Sequence, residues 1–236
     1  MDDCISSLPS EEEVQQFQKH SVTILLGAGM DLRKWRTNAT SVVSTDQPQK
    51  VLGIRWECAA DVLVLSQTQA NHVPESWTRR TLLQCLAGCF DPLGLSAPVL
   101  LTGKILLQQS WKEGGGWDEP VSEELAGHAS AWWREVGNLQ SKRVQRWIQA
   151  EPRAPYELHL FTDASERAYG CCLYLVSSKH HQLLYAKTRV APVKVQTLAR
   201  LELQAALLGS NCVAFVCEEL RINIVRVLAW TDSLTV

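Results

Sequence analysis

Three carboxylates, Asp163, Glu202 and Asp232, have the types and settings that could do chemistry. Asp163 closes the run Y-E-L-H-L-F-T-D, in which Glu157, His159, Phe161 and Asp163 alternate with Leu158, Leu160 and Thr162. That is the period of a pleated strand. Ala164-Ser165 and then Gly170 turn the chain just past the acid. Asp232 follows a second strand-like run over 222–231. Glu202 sits in a helical run over 196–220 with an apolar stripe of Leu198, Leu201, Ala205, Leu208, Cys212, Phe215 and Val216. Its place at the edge of that stripe sets a charge against a buried face. Without a partner this costs several kcal/mol, so Glu202 needs a cation, a hydrogen-bonding group or a wet cleft. Taken together, the three offer hard oxygen donors suited to Mg²⁺ or Mn²⁺. Two such ions can activate a water and stabilise the leaving oxygen of a phosphodiester. Each acid also has a plainer reading: Glu202 paired with Arg200, and the two aspartates as turn or cap residues.

The elements that must bring them together follow from the pattern. Strands are expected over 156–163, 169–177 and 182–190, with a turn carrying the exposed pair His180-His181. The helix over 196–220 then leads to the strand over 222–231. Two hairpin links and a right-handed helical crossover give a mixed sheet of order 3-2-1-4. The ends of the first and last strands then lie side by side, with the helix over them. Upstream, Ser10 and Glu13 start a helix reaching about Leu26, with Val14, Phe17 and also Val22, Ile24 and Leu25 turned inward. Gly27 and Gly29 stop it. Two strands, 51–56 and 61–65, form a hairpin across 57–60. Three helices follow, over 77–90, 98–111 and 122–136, the first with Leu82, Leu83, Leu86 and Phe90 on one face. Pro152 and Pro155 mark a linker. The fold class is α+β or α/β: a helical region followed by a mixed sheet with a crossover helix.

Net charge is −2, and the part from Tyr156 onward carries 8 basic and 7 acidic residues, so the total neither requires nor excludes a nucleic-acid partner. The eight cysteines follow no zinc spacing and read as reduced, buried thiols. Met1-Asp2-Asp3 has the wrong charge for a signal peptide, and no apolar run approaches the roughly 20 residues of a membrane span. An intracellular setting, cytoplasmic or nuclear, and no membrane partner are expected. Of the nine tryptophans, Trp111, Trp117, Trp132, Trp133 and Trp147 are expected to pack, and Trp35, between basic residues, either packs or stacks on a base.

T-D-A-S followed by Tyr169-Gly170, then R-L-E-L-Q-A-A-L-L, then W-T-D-S, resembles the ribonuclease H domain of BEL/Pao-type retrotransposon polyproteins. The likeness extends upstream. D-P-L-G-L-S-A-P from Asp91, K-I-L-L-Q from Lys104 and L-R-K-W from Leu32 resemble the palm end and connecting region of the same element's reverse transcriptase. V-L-G-I-R-W from Val51 is similar to the strand after the palm, and Asp2-Asp3 to the tail of the polymerase motif.

The resemblance implies three parts: a reverse transcriptase palm remnant over 1–75, a helical thumb- or connection-like region over 76–152, and a ribonuclease H-like domain over 153–236, truncated at its C-terminus. It implies, for the family, Mg²⁺-dependent cleavage of RNA in an RNA–DNA hybrid, with Asp163, Glu202 and Asp232 as catalytic metal ligands, an activity expected to be impaired here by the truncation. Asp163 would bridge two ions, and Glu202 and Asp232 would position the attacking water. Lys187, Arg189, Lys194 and Arg200 are candidate phosphate contacts. The family's fourth carboxylate is expected beyond Val236, and polymerase activity is not expected, since Asp2 and Asp3 stand without the rest of that site. Partners are the hybrid and the remainder of the polyprotein. The alternatives are a module that binds nucleic acid without cutting it, or an inactive transposon relic.

Overall fold

The computed structural model describes residues 5–33, 35–39, 50–51, 53–65, 73–139, 142–148, 154–178, 180–220, 222–234 and 236. Asp2 and Asp3 lie outside them. The chain forms two compact units, one of Met1–Val64 with Arg143–Trp147, the other of Leu65–Lys142 with Ile148–Val236.

In the first unit, helix α1 (Glu11–Gly27) opens at Ser10, whose hydroxyl accepts from the Glu13 N–H at 3.3 Å. Glu11, Glu12 and Glu13 fill its first turn, favourably for the helix dipole. None of its residues is buried, which corrects the expected inward face: Val14, Phe17, Val22 and Leu25 are half-buried and Ile24 is exposed. Strands β1 (Lys50–Val51), β2 (Ile54–Glu57), β3 (Val62–Val64) and β4 (Arg143–Gln145) make an antiparallel sheet in that order. The run expected as one strand over 51–56 is broken at Gly53, whose φ of 82° suits a turn and not a strand. The hairpin across Cys58–Asp61 is present. Asp61 anchors it by accepting from Trp56 Nε1 and from the Arg146 guanidinium.

The second unit begins with three helices, α2 (Arg79–Ala87), α3 (Ala97–Glu113) and α4 (Glu123–Asn138). Thr78 and Thr81 form a reciprocal capping box on α2, and Ser122 caps α4. Their core holds Trp77, Leu82, Leu100, Leu106, Trp132 and Trp133. Two of the buried indoles are also satisfied as donors, Trp77 to Ser130 Oγ at 2.8 Å and Trp132 to the Val99 carbonyl at 2.9 Å. Gly103 leaves the room that Trp132 fills. The expected face of α2 is corrected. The helix stops at Ala87, so Phe90 falls outside it; Leu83 and Phe90 are exposed, and Cys85 joins Leu82 in the core. Trp111, Trp117 and Trp147 are also exposed, against the expectation that they pack inside.

Strands β5 (Tyr156–Ala164), β6 (Ala168–Val176), β7 (His181–Val190) and β8 (Ile224–Trp230) form the second sheet, with α5 (Leu198–Glu219) between β7 and β8 in the chain. Its order is β7-β6-β5-β8, with β8 parallel to β5. This is the 3-2-1-4 arrangement expected. Helix α5 buries Leu201, Ala205, Leu208, Cys212 and Val216, the last three in one core with Leu158, Leu160, Cys171 and Leu173. Leu198 and Phe215 are exposed, against the expected stripe: Leu198 stands in the first turn, ahead of the first buried position Leu201, and the Phe215 ring lies beside Tyr185 of β7 at 6.1 Å.

Cys171 and Cys212 face each other in that core at 3.8 Å, and burial pushes the Cys171 thiol up to about 12, so it stays protonated and packs as a small hydrophobe. Cys217 is exposed, unlike the buried thiol expected. By length and composition alone α5 is long and apolar enough to cross a membrane, which corrects the expectation that no run approaches that size. Here it lies on the sheet.

Candidate metal centre

The alternation of β5 sets its two faces apart. Leu158, Leu160 and Thr162 are buried, whereas Phe161 and Asp163 are exposed. Asp163 therefore emerges at the strand end into solvent, and its Oδ1 accepts from the Ala164 N–H at 2.8 Å. Ser165 closes the following turn, its hydroxyl accepting from the N–H groups of Arg167 and Ala168. Asp232 stands just past the end of β8, also exposed.

Glu202 reaches them from the first turns of α5, a helix capped by Thr197, whose hydroxyl accepts from the Arg200 N–H at 3.3 Å. The Glu202 residue is 6% exposed, and its Oε2 has no hydrogen-bond partner. No ion pair joins it to Arg200 or to another basic group among the described residues. Burial raises its pKa first, the negative charges of Asp163 and Asp232 raise it further, and the Ala164 backbone works weakly against them. One carboxylate oxygen from each of Asp163, Glu202 and Asp232 lies within 4.8 Å of the others. Three acids held this close repel one another unless a cation or proton intervenes. The orphaned Glu202 oxygen and the all-oxygen donor set fit a hard divalent ion.

Lys187 and Arg189 are exposed on β7, opposite Cys171 and Tyr169 of β6. Lys194 is exposed in the loop before α5, and Arg200 is exposed in its first turn. The structure brings the three acids into one cluster and spreads these four cations over β7, the loop and the helix start.

Sequence reasoning passed over the aromatic groups beside the acids. Phe161 and Trp230 stack with centroids 6.2 Å apart and an interplanar angle of 14°. Trp230 also stacks on His159 at 5.9 Å, and its Nε1 donates to His159 Nδ1 at 3.2 Å. That bond fixes the tautomer by chemistry: Nδ1 accepts, so Nε2 carries the proton and donates to Glu157 Oε2 at 3.1 Å. Arg226 completes the chain by donating to Glu157 Oε1. Phe161 and Trp230 each stand two residues before an acid, a spacing that singles them out only once the register of β5 and β8 is known. A cleft of about 230 Å³ between α5 and β8 is lined by Leu160, Thr162, Ala206, Val213, Val227 and Thr231 among others. Its lining is mostly apolar.

No curated protein sequence matches the chain. Among solved structures it is similar to the foamy viral protease-reverse transcriptase dRH in complex with double-stranded DNA, at 12% identity and a TM-score of 0.56, covering 97% of this chain and 38% of that one. It is similar to the foamy viral protease-reverse transcriptase with double-stranded DNA, at 13% identity and 0.55, covering 97% of this chain and 45% of that one. The same holds for that protein with an RNA/DNA hybrid, at 11% identity and 0.55, covering 97% and 29%. These likenesses show the fold, and the chain spans less than half the length of each. The family model of the Pao retrotransposon-like RNaseH-like domain matches residues 78–233, from the cap of α2 to just past Asp232, and the chain therefore belongs to that family.

Proposed function

We propose that this chain carries the metal site of a ribonuclease H-type hydrolase that cleaves the RNA strand of an RNA–DNA hybrid. The observation that carries the reading is the cluster itself: three carboxylates within 4.8 Å, one of them buried with an unpartnered oxygen. Asp163, Glu202 and Asp232 would hold Mg²⁺ or Mn²⁺. Bound there, the ions would lower the pKa of a water and neutralise charge developing on the leaving oxygen. Glu202, fixed by the packing of α5, sets the position of the site. Glu202 and Asp232 orient the attacking water, and Asp163 faces solvent, where a backbone phosphate can approach. Lys187, Arg189, Lys194 and Arg200 would contact phosphates and position the hybrid without reading its sequence.

In this reading residues 1–75 are a reverse transcriptase palm remnant, with Asp2 and Asp3 the tail of its polymerase motif. Residues 76–152 are the connecting region and 153–236 the ribonuclease H part. The natural partners are the hybrid and the rest of the polyprotein. The test is cleavage of a labelled hybrid by the purified chain, with Asp163→Asn and Glu202→Gln alongside. Cleavage abolished by both substitutions supports the reading. Hybrid binding by folded protein without cleavage sinks the hydrolase and leaves a binding module.

A further inference from the structure

Strands β5 and β8 run parallel, and Phe161↔Trp230 is the last pair in their register. Asp163 and Asp232 each lie two residues beyond that pair. Asp163 is still held in the β5–β6 ladder opposite Gly170, whereas β8 ends at Trp230, so the distance between the two acids depends on how Trp230 carries the end of β8 toward Asp232. The fixing group is aromatic. Phe161 and Trp230 are 41% and 49% exposed, so the pair is not held by burial in the core under α5. It is held by ring contact: Trp230 on Phe161 at 14°, Trp230 on His159 at 26°, and Phe161 edge-on to Tyr174 at 5.9 Å. The indole N–H bond to His159 then sets the rotation of the Trp230 ring. Beyond Trp230 the described residues pair no further with β5; the Ser233 N–H to Thr231 Oγ1 bond shapes the turn around Asp232, and Trp230 is the last residue that ties it to β5.

We propose that Trp230, stacked on Phe161 and hydrogen-bonded to His159, is a positioning residue that sets the Asp163–Asp232 separation for metal binding. This inference rests on the metal-site reading above. Groups behind metal ligands change affinity by roughly 10- to 100-fold when removed, because they decide how far ligands stray from the productive geometry. Trp230 touches neither acid in this role. It acts through the strand ends.

The test is calorimetric titration of the full chain with Mn²⁺. Wild type is compared with Trp230→Ala, Trp230→Phe, Phe161→Leu and, as the site control, Asp163→Asn, with circular dichroism of each variant taken first. Trp230→Ala is expected to weaken Mn²⁺ binding by about tenfold. Trp230→Phe, which keeps a ring but loses the hydrogen bond, is expected to recover most of that loss. Phe161→Leu keeps apolar bulk without the stack; it should weaken binding as Trp230→Ala does, and it carries the test if Trp230→Ala fails to fold. A purely structural role predicts lower melting temperatures with unchanged Mn²⁺ affinity in the folded variants, and that result overturns the inference alone. Wild type that binds no Mn²⁺, or Asp163→Asn that binds as well as wild type, overturns the site reading and this inference with it.

Discussion

Gly94 lies so close to Ala186 that a Cβ there would overlap the Ala186 carbonyl, and its φ of 73° lies in the left-handed region. The neighbouring Leu93 carbonyl accepts from the Ala186 N–H at 2.9 Å, and Gln108 Nε2 donates to the Ala191 carbonyl at 2.6 Å. The D-P-L-G-L-S turn therefore clips onto β7, the edge strand of the second sheet. Asp91 holds the turn in shape by accepting from the N–H groups of Leu95 and Ser96. Gly94→Ala is expected to destabilise the chain by about 2–4 kcal/mol, from overlap plus backbone strain. Urea unfolding would read this, and a loss under 1 kcal/mol would show that the clip yields easily.

Arg79 is a buried cation that earns its place by donating to the carbonyls of Ser110, Gly114 and Gly115 at the end of α3, with Trp111 stacked 3.9 Å from its guanidinium. Arg79→Met would leave those carbonyls short of donors, at a cost of about 1–3 kcal/mol. Arg79→Lys should recover little, since one ammonium cannot reproduce the planar fork. Thermal unfolding of the two variants tests this, and full recovery with lysine would contradict it.

Glu202 presents the opposite balance. Its unpartnered oxygen and two acidic neighbours make it a stability cost without metal. Glu202→Gln is expected to raise stability in EDTA by roughly 1–2 kcal/mol, while removing the stabilisation that Mg²⁺ confers on wild type. A Glu202→Gln protein less stable than wild type in EDTA would mean that the carboxylate has a partner within the protein.

Glu157 gives a pH dependence with a defined sign. Its hydrogen bond with His159 first, and Arg226 second, hold its carboxyl below the usual glutamate range. Between the folded and unfolded pKa values the unfolded chain binds more protons, so stability rises with pH there. The contribution is fully present above the ordinary glutamate pKa and is lost as pH falls through the lowered folded value. Urea unfolding of wild type and Glu157→Gln across that acid range should show the shallower slope in the variant. Equal slopes would remove Glu157 as the cause.

The second sheet was legible in the sequence because two local signals agreed. Period-two alternation marked a strand over 156–163, and a long apolar helix between strands required a crossover, which together put the ends of β5 and β8 side by side. Glu202 was legible as an acid on a buried stripe. The aromatic network was not, because ring partners such as Trp230 and His159 are set by register between strands, and one residue of slip would exchange the faces. The face of α2 was misread for a different reason: periodicity extends through Phe90, but the helix ends at Ala87, ahead of the Asp91-Pro92 turn. At β1 and β2 a single glycine outweighed the strand-like residues on either side of it.

The most direct measurement of the central claim is strand-resolved cleavage. The purified chain would be given an RNA–DNA hybrid labelled on either strand, with double-stranded RNA and double-stranded DNA beside it, in Mg²⁺ and in EDTA. The account predicts cuts in the RNA strand of the hybrid alone, in Mg²⁺ alone, and none with Asp232→Asn. Cleavage that persists in EDTA or in Asp232→Asn, or no cleavage by folded wild-type protein, would contradict it.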